Sequence, residues 1–132
     1  MKRMIAIVFA FIMLLGIAAT ALADTATFTN FVLSNGVNGK KQTSNVKKSS
    51  STGIYPTTVV TSISGATSSA PMVTRVRLNT GDKATNTFNV YVTNTYWCAW
   101  LSGYGKKGDY YNLRMQNTTG GPTITVSGTF TP

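Results

Sequence analysis

Acid–base and nucleophilic chemistry in proteins draws on His, Glu, Asp, Lys, Tyr and activated Cys, usually in pairs whose surroundings push their pKa values apart. This chain of 132 residues has no His and no Glu, and its only acidic side chains are Asp24, Asp82 and Asp109. A two-carboxylate site would require Asp82 and Asp109 to face one cleft with their carboxyl groups within ~10 Å; a Tyr–Lys site is the other option. Neither has a sequence signature. The lone cysteine, Cys98, has no His to activate it. No phosphate-binding loop ending in Lys-Ser or Lys-Thr occurs, nor any cluster with metal-ligand spacing. Gly103, Gly105 and Gly108 fit the spacing of a dinucleotide fingerprint, but they fall in a strand–turn–strand context with no helix behind them. The expectation is a protein that is not an enzyme and takes no cofactor or metal.

What the chain has instead is positive charge. Ten Lys and Arg residues follow Ala23 (twelve in the chain, less Lys2 and Arg3), and with three Asp they give a net +7. A field of that sign concentrates anionic partners. Lys40, Lys41, Lys47 and Lys48 stand in a polar segment rich in Ser, Asn and Gly, and Lys106 and Lys107 in the turn Gly103–Gly108. Trp100 and Tyr104 are the aromatic contacts expected beside them, because exposed rings near cations stack on sugars or bases. Each feature has a plainer alternative: the Lys-rich segment as a solvated loop, the aromatics as cross-strand pairs that stiffen a small sheet. Alternation places Tyr96, Cys98 and Trp100 on one strand face and Trp97, Ala99 and Leu101 on the other, so only one of the two tryptophans can be a core anchor. Arg75 and Arg77 share a face pointing away from Met72, Val76 and Leu78; with Arg114 on the same side they would form a third basic patch.

Residues 1–23 have the grammar of a signal peptide. Lys2 and Arg3 lead, an apolar run follows from Met4, and Ala21-Leu22-Ala23 offers small residues where signal peptidase reads. The alternative is an uncleaved anchor, since the run approaches the length that spans a bilayer. Cleavage predicts a secreted protein, with cell-wall association an option and no transmembrane segment in the remainder. The partner expected is an anionic cell-envelope polymer or membrane surface, with nucleic acid disfavoured. The expected state is a monomer, a Cys98-linked dimer being the alternative.

The elements that must position these residues are strands. Thr, Ser, Asn and Gly are abundant, β-branched and aromatic residues alternate with polar ones, and no stretch of period 3.6 reaches helical length. Segments 27–33, 59–63, 72–78, 87–93, 96–101, 110–115 and 123–131 read as seven strands. The prediction is an all-β single domain, 24–132: a small antiparallel β-sandwich with a Lys-rich polar loop at 34–53. Turn chemistry at Asn79-Thr80-Gly81-Asp82 predicts a hairpin between the third and fourth strands, and 117–122 predicts one at the C-terminus. Phe88, Val90, Val92, Leu113, Ile124, Val126 and Phe130 are the predicted core.

Arg75-Val76-Arg77, Gly108-Asp109-Tyr110-Tyr111-Asn112-Leu113 and the closing Val126-Ser127-Gly128-Thr129-Phe130-Thr131-Pro132 together resemble a loose group of small exported β-proteins of Gram-positive bacteria, many of which have Trp where this chain has Phe130. The resemblance covers about half of the chain. The group has no settled activity; some small cationic exported proteins of this general kind are bacteriocins, which keeps an antimicrobial role open, and the resemblance transfers no site residue. The rival expectation is a structural matrix protein that self-assembles through strand edges rich in Thr, Val and Ile.

Overall fold

A computed structural model describes residues 24–35, 39–118 and 120–132; the expected signal segment lies outside the described residues. Among the described residues there is no helix, and nine strands form two antiparallel sheets. They are β1 (Ala26–Leu33), β2 (Lys40–Gln42), β3 (Val46–Lys47), β4 (Thr57–Ser64), β5 (Met72–Leu78), β6 (Phe88–Val90), β7 (Asn94–Trp97), β8 (Tyr110–Gln116) and β9 (Ile124–Thr131). One sheet runs β1-β9-β4-β7; the other runs β2-β8-β5-β6, with β3 also on β8.

The period-2 pattern decides which face each sheet buries. Ile124, Val126 and Phe130 of β9 meet Tyr111, Leu113 and Met115 of β8 and Met72 and Val76 of β5 in a single hydrophobic cluster between the sheets. Gly128 sits on the same inward face for a packing reason. A Cβ there would collide with the Val59 carbonyl oxygen and the Phe28 ring, so the residue lets a central strand pass beneath an aromatic side chain.

Three expectations change. The predicted C-terminal hairpin is absent, because β8 and β9 lie in opposite sheets and the connection between them crosses the sandwich. Asn117 pins that crossing: its buried Nδ2 donates to Leu33 O at 3.0 Å and to Pro122 O at 2.7 Å. The 34–53 segment contributes two short strands, β2 and β3, to the edge of the second sheet. Lys40–Gln42 pairs with Arg114–Gln116, Thr43 N donates to Leu113 O, and pairing resumes one residue out of register at Val46↔Tyr111. Val92 leaves the core, 47% exposed, because β6 ends at Val90 and the chain then crosses to the other sheet as β7. Phe88 is half-buried, its ring stacked on Tyr96; Val90, Leu113, Ile124, Val126 and Phe130 are buried as expected. The hairpin joining β5 to β6 is present, with Leu78 N bonded to Asp82 O across its turn.

Candidate anion-binding site

β5 is flanked by β8 and β6, and its inward side is filled by Met72, Thr74 and Val76. Val73, Arg75 and Arg77 must therefore stand on the outer face. Antiparallel register puts Arg114 directly opposite Arg75, and Asn112 opposite Arg77 on the same side. On the other flank the turn folds Lys83 back to bridge Arg77. These four cations, with Val73, Thr74, Thr87 and Gln116, line a cleft of about 300 Å³. Among the described residues no acidic and no aromatic side chain lines it.

Opposed like charges destabilise a sheet by about 0.2–1 kcal/mol per pair, so Arg75 facing Arg114 is a cost the fold carries. Arg77 is held by the Gly81 carbonyl, which accepts from its Nε at 2.8 Å and also from one terminal guanidinium nitrogen. Arg75 Nε is buried and has no hydrogen-bond partner, and leaving such a donor unmet costs about 1–3 kcal/mol. One guanidinium is braced and another holds an unused donor. Lys40 and Lys47 extend the basic face, being in register with Gln116 and Tyr110, whose side chains share the face of Arg114.

The remaining sequence-selected residues fall elsewhere. Lys41 is exposed but in register with inward-facing Met115. Lys106 and Lys107 are exposed in their turn. Lys48 is the clear correction: it is 0% exposed and offers no charge to a surface. Its ammonium donates to Ser50 Oγ at 2.6 Å and Ile54 O at 2.8 Å and lies 5.4 Å from the centre of the Trp100 ring. Burial pushes its pKa below the ordinary lysine value.

Trp100 and Tyr104 are corrected with it. Trp100 is half-buried, donates from Nε1 to Ile54 O at 2.8 Å and packs 4.7 Å from the Tyr111 ring; Tyr104 is half-buried against the core. Gly105, at φ 77, lies so close that a Cβ would enter the Trp100 indole. Tyr111 OH accepts from Gly105 N at 2.9 Å and reaches Asp109 Oδ2 at 3.3 Å. Burial is the first cause raising the Tyr111 pKa. The whole set ties loop 48–55 to loop 100–111. Trp97 is the exposed tryptophan, at 67%, stacked on Tyr55.

No family model, curated protein or solved structure matches this chain.

Asp82 accepts from Thr80 Oγ1 at 2.8 Å and Asp109 engages Tyr111, each within its own turn and neither in the cleft. Cys98 is half-buried, and burial pushes its thiol pKa up, against a smaller opposing effect of a hydrogen bond with Thr85. That disfavours the thiolate that disulfide exchange needs, and the geometry gives a Cys98-linked dimer no support. Alternation in the sequence brings out Arg75, Arg77 and Arg114 but not Lys83, which joins them because a turn centred on Thr80 returns position 83 to position 77.

Proposed function

We propose that this is an exported, non-catalytic binding protein that docks the outer face of the β5–β8 sheet on an anionic surface, a cell-envelope polymer or a membrane, with envelope-directed antimicrobial action as the most specific form of that role. The observation that carries the reading is the cleft itself: four cations line one space without a carboxylate among them. Charges set for the fold's own benefit are normally paired or dispersed, and a bound anion relieves the repulsion these four exert on each other. Lys40 and Lys47 beside the cleft widen its attraction, each cation near a charged surface contributing on the order of 1 kcal/mol.

Self-assembly through strand edges has less support. The edge strand β1 carries a register shift between Phe28 and Phe31, with Asn30 at φ 50 inside it; β6 and β7 are short, and β2 brings Lys40 and Lys41 to its edge. Bulges, short strands and edge lysines are the devices that block strand addition.

The test is to incubate the purified protein with Gram-positive cells at low and high salt, following association and growth. Association that weakens as salt screens the charges is the expected result. Growth arrest alongside it selects the antimicrobial form. No association, together with salt-promoted polymerisation, overturns the reading in favour of a matrix role.

A further inference from the structure

The cations of the cleft form two rungs. Arg75 and Arg114 face each other across β5 and β8; Arg77 and Lys83 face each other across the adjoining hairpin. Arg75 and Arg77 are two residues apart on one strand, which sets the rungs ~7 Å apart along β5. The rungs lie on opposite flanks of β5, so their centres are also offset sideways, and an anion that satisfies both has two charged groups roughly 7–8 Å apart, or a chain of them. A three-carbon polyol phosphate places successive phosphorus atoms roughly 7 Å apart when extended, by ordinary bond lengths. Guanidinium forks match phosphate oxygens two at a time, and three of the four cations are arginines. The rest of the lining, Val73, Thr87 and Gln116 among it, supplies one apolar contact and polar groups suited to a hydroxylated spacer. A single-stranded nucleic acid has a similar phosphate repeat but binds largely by base stacking, and no aromatic residue lines the cleft among the described residues.

Resting on the anionic-surface reading above, we propose that the cleft over β5 is a two-phosphate seat for a polyol-phosphate polymer, with Arg75 and Arg114 holding one phosphodiester and Arg77 and Lys83 the next. Chain length is then the first discriminator. A single glycerol phosphate fills one rung, two linked phosphates fill both, and further units add little within the cleft.

The experiment titrates the purified protein with glycerol phosphate oligomers of one, two, three and more phosphates, with polygalacturonate and with oligothymidylate, at fixed low salt. The expected result is a gain of about tenfold or more between one and two phosphates and a slow rise beyond, as a second charge-assisted contact gives. Poly(glycerol phosphate) is expected to bind about tenfold tighter than polygalacturonate at equal charge. Arg75→Lys with Arg114→Lys keeps the charge and loses the forks, and is expected to remove most of that preference, whereas Lys40→Gln with Lys47→Gln lowers both affinities alike. Equal affinity for the two polymers with no step at two phosphates overturns the phosphate seat and leaves the anionic-surface reading standing. Tighter binding of oligothymidylate also overturns it, in favour of nucleic acid. Binding of none of the polyanions overturns both.

Discussion

Lys48 and Arg75 are cations of one small sandwich, and they differ in what surrounds the charge. The Lys48 ammonium has a hydroxyl, a carbonyl and an indole face around it and no exposure at all. Arg75 shares a cleft with three other cations, and its buried Nε has no acceptor. The first cation is satisfied and holds two loops together. The second is left wanting a partner that the fold does not supply. Satisfaction of polar groups, rather than charge or nearby aromatics, separates the structural cation from the one proposed to bind.

The sharpest way to break this contrast is at Gly105. Alanine there must adopt a left-handed backbone and push its Cβ into Trp100, and the expected loss of stability is about 2–4 kcal/mol in urea unfolding. The surviving folded protein should bind the proposed anionic partner unchanged. A stability change under 1 kcal/mol would show that the Trp100 cluster is not a structural clamp.

Substitution in the cleft should do the reverse. Arg75→Gln with Arg114→Gln is expected to weaken binding by about tenfold or more, while stability stays level or rises by about 0.5 kcal/mol as the opposed charges are removed. Together the two experiments form a cross: one site moves stability, the other moves affinity.

A smaller effect follows from the lowered pKa of Lys48. Its folded form releases a proton below the ordinary value of 10.5, so between the lowered pKa and 10.5 the unfolded chain binds more protons. Stability must rise with pH across that window, because the burial penalty on the charged form is relieved. Tyr111 acts in the opposite direction: its pKa is raised above 10.0, so its contribution is lost as pH climbs through that range. Urea unfolding followed as pH rises towards 10.5 should therefore show a stabilising contribution in the natural protein that Lys48→Met removes. The smallest expected effect concerns Cys98: alkylation at mildly alkaline pH should be slower in the folded protein than in urea, its thiol being partly buried and its pKa raised.

Much of the fold was legible because alternation survives wherever one face is buried. β5, β8 and β9 fall within a residue or so of their expected spans, and Ile124, Val126 and Phe130 point inward as the pattern required. Alternation does not say which sheet a strand joins. A connection such as 117–122 reads the same whether it closes a hairpin or crosses the sandwich, and only Asn117's bonds to both sides settle it. Segment 34–53 hid its strands because the one-residue slip between Gln42 and Val46 interrupts the period that would reveal them. The site was half legible. Arg75 and Arg77 announced a shared outer face, while Lys48 looked like its neighbour Lys47 although one is buried and the other exposed. Once Val46–Lys47 is known to be a strand, alternation puts Lys48 on the buried side with Val46, and Lys47 on the outer side; what satisfies the buried ammonium is Ser50, Ile54 and Trp100.

Amide-resolved NMR of the purified protein titrated with an anionic polymer compares both regions in one spectrum. The division of roles predicts the largest shifts at 73–77, 83–87 and 112–116, with smaller ones at 40–42 and 47, reversible on adding salt, and little change at 48–55 and 100–106. Shifts concentrated around Trp100, Tyr104 and Lys106–Lys107, with the β5–β8 face silent, would contradict it.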